Sequence, residues 1–241
     1  MSTFARYSRQ VLLREVGVNG QALLRDSSVL IVGAGGLGSA AALYLAGAGV
    51  GRLVLADRDR VELSNLQRQI LFRHADVGRG KTAAAATALA AFNPEVQVEV
   101  RDGDSWRDAV HHCDVVLDCT DNFPTRFAIN AACVSARNPL VSGAAIRLEG
   151  QLAVFDRARG TACYACLYPD AGEAQETCEE AGILGPVAGT IGAMQALCAL
   201  KLLLGIGDDR GRLHLWDART LAWRTSTMTR DPDCSCCRSA T

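Results

Sequence analysis

One six-residue stretch constrains this chain more than any other. Gly33-Ala-Gly-Gly-Leu-Gly38 follows at once on Ser28-Val-Leu-Ile-Val32, a short apolar run with β-branched residues, and leads into an alanine-rich segment that reaches Gly49. In that position Gly33, Gly35, Gly36 and Gly38 let the backbone turn tightly and lie close to a phosphate, while the first turn of the coming helix offers unpaired N–H groups to negative charge. A strand, this turn and a helix in that order open a βαβ unit.

The pattern continues. Arg52-Leu-Val-Leu-Ala56 reads as a second strand, residues 81–92 as a helix stopped ahead of Asn93-Pro94, and residues 96–100 as a third strand. Residues 114–118 give a fourth strand, 124–136 a helix and 139–143 a fifth strand. Strands alternating with helices imply an α/β fold, a Rossmann-like, doubly wound and mostly parallel sheet with helices on both faces. After Glu149 the style changes: residues 151–155 and 213–216 read as antiparallel strands, and the acidic, turn-rich residues 170–180 as a mobile loop.

Composition narrows the class. Lys and Arg total 25 against 26 for Asp and Glu, a formal net charge of -1, which excludes a surface built throughout for nucleic acid. Apolar residues at 49% supply a large core, and aromatic residues at 5% leave little material for stacking single-stranded bases. The first 20 residues hold Arg6, Arg9, Arg14 and Glu15 and no signal-peptide core, so the expected setting is cytoplasmic, with reduced thiols. The uncharged stretch 181–200 has the length of a membrane span, but its five small or turn-forming positions Gly182, Gly185, Pro186, Gly189 and Gly192 favour a buried helix over 186–204 instead. No membrane is expected, and the small residues allow another backbone to come close.

The residues around the glycine turn speak of a nucleotide. Asp57 ends the second strand, where a carboxylate accepts hydrogen bonds from ribose hydroxyls. Ser64-Asn-Leu-Gln-Arg-Gln69 brings Ser64, Asn65 and Arg68, and Lys81 opens the next helix; cations gathered there suit a triphosphate better than the two phosphates of a nicotinamide dinucleotide. Asp118-Cys-Thr-Asp-Asn122 closes the fourth strand, placing Asp121 to hold magnesium and Asn122 either to bond the nucleotide or to cap the helix after it. An NAD-dependent oxidoreductase remains the rival reading, with Arg68 and Lys81 idle, and a non-catalytic scaffold is a second.

Ten cysteines include Cys163-Tyr-Ala-Cys166 and Cys234-Ser-Cys-Cys237, two clips that together offer four thiolates to a structural zinc ion. Cys163, Cys166, Cys234 and Cys237 are the expected ligands, with Cys236 the competitor for the fourth place.

With Arg6-Tyr-Ser-Arg-Gln10 and Val141-Ser-Gly-Ala-Ala-Ile-Arg147 added to the motifs above, the chain resembles, along nearly its whole length, the MoeB/ThiF/HesA family of ubiquitin-activating-enzyme-like adenylyltransferases. The 141–151 stretch looks closer to the molybdopterin-synthase branch than to the thiazole branch. The resemblance implies ATP- and magnesium-dependent adenylation of the C-terminal glycine of a small ubiquitin-fold sulfur carrier by a homodimer, for molybdenum cofactor or, alternatively, thiamine biosynthesis. It implies that Arg9 reaches into the partner subunit's site, that Asp57 binds ribose, that Asn65, Arg68 and Lys81 bind phosphates, and that Asp121 binds magnesium. A cysteine placed like Cys178 resembles one that carries sulfur covalently in the thiazole branch; its acidic neighbour Glu179 works against a reactive thiolate, and an incidental thiol is the other reading. One domain is expected over 1–241: a helical arm at 1–26, a nucleotide-binding core at 27–145, and a carrier-binding, zinc and dimer-interface part at 146–241. Sulfur would come from a separate sulfurtransferase or desulfurase.

Overall fold

The computed structural model describes residues 5–169 and 181–238. Eight strands form one sheet in the order β3-β2-β1-β4-β5-β6-β7-β8. They run β1 Ser28–Val32, β2 Arg52–Ala56, β3 Gln97–Arg101, β4 Val115–Asp118, β5 Leu140–Ile146, β6 Glu149–Phe155, β7 Arg212–Asp217 and β8 Ala222–Thr227. The first five are parallel and the last three antiparallel. Strand order reverses between β1 and β4, and in open parallel sheets ligands bind beyond the carboxyl ends at that point.

The helices are α1 Ser8–Val11, α2 Gly17–Asp26, α3 Gly36–Ala48, α4 Lys81–Phe92, α5 Trp106–Ala109, α6 Phe123–Ala136, α7 Tyr164–Leu167 and α8 Gly185–Leu204. Two buried clusters lie on opposite sides of the sheet. On one side Leu37, Leu45 and Leu89 pack with Ile191 over Val29, Ile31, Leu53 and Leu55. On the other, Trp106, Ile129 and Tyr164 cover Leu30, Val54 and Val116. Successive side chains of a strand point to opposite faces, so Val29 and Ile31 feed one cluster while Leu30 and Val32 feed the other.

Among the described residues α8 is the one helix whose length and composition would suit a membrane. Here it lies in the core against α3, with Ile191, Gln195 and Ala199 buried. Side chains on Gly192 or Gly185 would collide with Leu37 O or Gln67 O, so the small residues do admit a close backbone; Gly189 meets nothing within 4 Å and plays no such part.

Some elements differ from expectation. β5 runs on to Ile146 because its far end pairs with β6 as a hairpin through Ile146 and Glu149. β8 had no counterpart in the sequence reading, and all six of its residues are exposed, so no hydrophobic alternation marks it. The acidic residues 170–180 lie outside the described residues.

Candidate nucleotide site and metal centre

The glycine turn is shaped first by the protein's own packing. Gly33 has φ +94°, donates its N–H to Ala56 O at 2.8 Å, and would place any Cβ 2.7 Å from Cys119 O. A side chain on Gly38 would collide with Gly33 O, so the helix can sit tightly on the turn only without one. Gly35 differs: the nearest atom to an added Cβ is Gln69 Nε2 at 3.8 Å. Nothing internal demands glycine there, and Gly35 is the N-cap of α3 with no side-chain cap. The open side of the turn and the first N–H groups of α3 therefore form a cradle that fits a phosphate.

Asp57 braces this cradle. One carboxylate oxygen accepts from Ala34 N–H at 2.7 Å and the other from Asp59 N–H at 2.8 Å, so the end of β2 is tied to the turn after β1. Burial pushes its pKa above the usual carboxylate range, against the pull of Lys81 and the two N–H donors. Both oxygens retain a lone pair for a ribose hydroxyl. Beside it lies a cleft of about 290 Å³ lined by Asp57, Arg58, Arg60, Thr82 and Asp102 at the carboxyl ends of β2 and β3.

Lys81, the first residue of α4, is buried along its stem and reaches Asp59 Oδ2 at 2.9 Å. Ser64 and Asn65 belong to the single turn Leu63–Asn65, where Asn65 Oδ1 accepts from Glu62 N–H at 3.2 Å and Ser64 Oγ donates to Glu62 at 3.2 Å. Arg68 donates to Ser64 O at 3.0 Å, and its Cγ stands 3.5 Å from where a side chain on Gly36 would begin. Asp121 is exposed just past β4, next to Cys119 and Thr120, which border Gly33. Asn122 takes the capping role, accepting from Thr125 N–H at 3.0 Å.

Asp118 is structural. It accepts from Thr120 Oγ1 at 2.7 Å and Ser142 Oγ at 2.8 Å, with the buried Arg126 guanidinium 3.5 Å away. Sequence reading missed Arg126, Gln195 and Asp59. Gln195 is fully buried, donates to Asp118 O at 2.7 Å and Val141 O at 3.1 Å, and so pins α8 to the ends of β4 and β5. Its signal was there as the glutamine in an uncharged helix.

Arg9 lies away from all of this. Its neighbour Gln10 donates to Ala48 O at 2.7 Å, at the far end of α3 from the glycine turn, and Arg9 itself is exposed. Thirteen helical residues separate the two ends by about 20 Å. Cys178 lies outside the described residues.

The two cysteine clips converge. The Sγ atoms of Cys163, Cys166, Cys234 and Cys237 lie within 4.8 Å of one another, with Cys163 3.7 Å from Cys234 and Cys166 3.5 Å from Cys237. A tetrahedron of zinc–sulfur bonds near 2.3 Å sets its sulfurs about 3.8 Å apart, so the donor set fits zinc. Cys236 is not one of the four clustered sulfurs and accepts from Asn130 Nδ2 at 3.2 Å. A hydrogen bond with Cys236 and burial push the Cys163 thiol up to about 12, and burial with a Cys166 hydrogen bond does the same for Cys237; such thiols ionise together only around a cation.

A largely parallel sheet with an open glycine turn, a carboxylate at the end of β2 and cations nearby has the layout of a nucleotide-binding α/β protein. The family model described as "ThiF family" matches residues 7–236, and the chain belongs to that family. It is 49% identical over 238 residues to the sulfur carrier protein ThiS adenylyltransferase of Escherichia coli (strain K12), covering 97% of this chain and 95% of that one. It is 47% identical over 237 residues to the molybdopterin-synthase adenylyltransferase of the same organism, covering 96% and 95%. Among solved structures, E. coli MccB with MccA-N7isoASN superposes with a TM-score of 0.84 at 25% identity, over 96% of this chain and 74% of that one.

Proposed function

We propose that the chain adenylates the C-terminal glycine carboxylate of a small ubiquitin-fold sulfur-carrier protein, using ATP and releasing pyrophosphate. The observation that carries this reading is the convergence of the open Gly35 cradle with Asp57, Arg68 and Lys81 at one end of the sheet. In the reaction a carboxylate oxygen of the carrier attacks the α-phosphorus, the bridging bond to the β-phosphate breaks, and its electron pair leaves with pyrophosphate. Such a displacement asks for alignment and charge neutralisation more than for a base.

Asp57 takes the ribose hydroxyls, with the adjoining cleft receiving the nucleoside. Ser64, Asn65, Arg68 and Lys81 hold the phosphates; the capping bond of Asn122 leaves its Nδ2 for the nucleotide. Asp121 would hold magnesium, which when bound neutralises phosphate charge. The cysteine centre would hold zinc and tie residues 234–237 to α7. Arg9 lies about 20 Å from its own turn, beyond the reach of its side chain, which supports service to a partner subunit's site in a homodimer. Reduced clustered thiols suit a cytoplasmic setting, and sulfur would come from a separate protein.

Two carriers fit, those of molybdopterin and of thiazole synthesis. Identities of 49% and 47% to the two relatives support both equally, so the thiazole reading stands beside the molybdopterin one favoured by residues 141–151. Incubation with ATP, magnesium and each purified carrier separates them, read as a mass gain of one AMP on the carrier. Adenylate on the thiazole carrier alone overturns the molybdopterin reading, and adenylate on neither overturns the function.

A further inference from the structure

Gln69 is the residue of this site that no reading above employs. It sits on the turn between Leu63–Asn65 and Phe72, held by its own backbone N–H to Asn65 O at 2.9 Å and by Phe72 N–H to its carbonyl at 3.1 Å. Its side chain is 3% exposed. Its Oε1 is buried with no hydrogen-bond partner among the described residues. A primary amide taken out of water in this way costs stability unless something bonds it, and buried amides in folded proteins are satisfied with few exceptions. The unpartnered atom is the acceptor end of the amide; the donor end, Nε2, is the end that borders the glycine turn.

Its place is specific. Gln69 Nε2 is the nearest atom, at 3.8 Å, to the point where a side-chain carbon on Gly35 would begin. That point lies in the one part of the glycine turn that the chain's own packing leaves clear. The preceding residue, Arg68, borders Gly36 in the same way. The amide of Gln69 and the stem of Arg68 thus border successive glycines of one anion cradle, and the amide brings two N–H donors without adding charge.

We propose that Gln69 is a nucleotide-binding residue that donates its Nε2–H to a phosphate oxygen of ATP lying along Gly35, fixing the triphosphate against the turn. This rests on the ATP reading above. Because Gln69 is uncharged and already in place, it adds directional bonding where Arg68 and Lys81 add charge. A phosphate oxygen selects the amide orientation with nitrogen toward Gly35, since the reverse would set oxygen against oxygen.

The test is calorimetric titration of the intact chain with ATP and, separately, with adenosine, which lacks every phosphate. Gln69→Leu keeps the volume and removes both donors, and should weaken ATP binding about tenfold. Gln69→Glu puts a carboxylate beside the phosphates and should weaken it about 100-fold. Adenosine affinity should stay within about twofold in both, because a residue that only packs would move both ligands together. Gln69→Asn keeps the amide but draws it back by one methylene; should the leucine variant not fold, the same split between ATP and adenosine is expected of it. Equal losses for ATP and adenosine, or native ATP affinity in the folded variants, would overturn the inference while leaving the adenylation reading intact. A native chain that binds no ATP would instead remove that reading and this one with it.

Discussion

The parallel and antiparallel halves of the sheet are held together by different means. In the parallel half every residue of β4, and four of the five in β1 and in β2, are buried, so strand–helix–strand units close over their own cores. In the antiparallel half β8 is exposed throughout, and Trp216 and Trp223 stack across β7 and β8 with ring centroids 5.5 Å apart. What anchors that half's surroundings is long in sequence: cysteine pairs 71 residues apart, and the aromatic packing of Tyr164 against Phe127 at 5.3 Å that links the cysteine centre to α6. The glycine turn belongs to the self-sufficient half, and the cysteine cluster ties residues 234–237 to α7 and to Val134 of α6.

That contrast can be broken most severely at the metal. Removing zinc with a chelator, or making Cys163→Ser with Cys237→Ser, should lower the Tm by roughly 10 °C or more, because structural zinc sites carry folding free energy directly. ATP affinity measured below that Tm should change by less than about fivefold. An equal collapse of both would mean that the halves are one cooperative unit.

The junction is the next place to press. Arg126→Met leaves Asp118 buried without its cation and should destabilise the chain by about 3–5 kcal/mol in urea unfolding, whereas replacing both partners by apolar residues should cost less. Within the cradle, Lys81→Ala should cut adenylation about 100-fold with under about 1 kcal/mol of stability lost, since its partner Asp59 is well exposed and returns to water. A large stability loss with modest kinetic change would make Lys81 a packing residue.

A further effect lies on the alkaline side. Burial pushes Cys113 and Cys198 up to about 11 from 9.0, so the folded chain holds their protons more tightly than the unfolded chain does. The stability this contributes is complete below pH 9 and is lost as pH rises from 9 to 11, on the order of 2 kcal/mol for each thiol. Urea unfolding at pH 8 and pH 10.5 reads it, and Cys113→Ala with Cys198→Ala should shrink the difference by their share, leaving that of the other buried thiols Cys119 and Cys133.

What was legible in the sequence follows the same division. β1, β2 and α4 lie where the short apolar runs and stop signals placed them, because a buried parallel strand writes itself as a continuous apolar run. The positions of the glycine turn, Asp57 and Lys81 were legible because each sits at a strand or helix end in two successive βαβ units, β1-α3-β2 and β2-α4-β3. β8 was not, since exposed strands carry no apolar pattern. Arg126 and Gln195 were missed because their roles depend on partners 8 and 77 residues away, and Gln69 because only the fold brings it to Gly35. The choice between Cys236 and Cys237 needed three dimensions, because only the fold shows which Sγ joins those of Cys163, Cys166 and Cys234.

The most direct test of the central claim is isotope exchange. With enzyme, magnesium, ATP and either carrier, labelled pyrophosphate should appear in ATP at a rate that depends on the carrier's terminal glycine and falls with Lys81→Ala. If label never enters ATP with any such carrier, while the chain binds NAD in preference to ATP, the adenylation account is wrong.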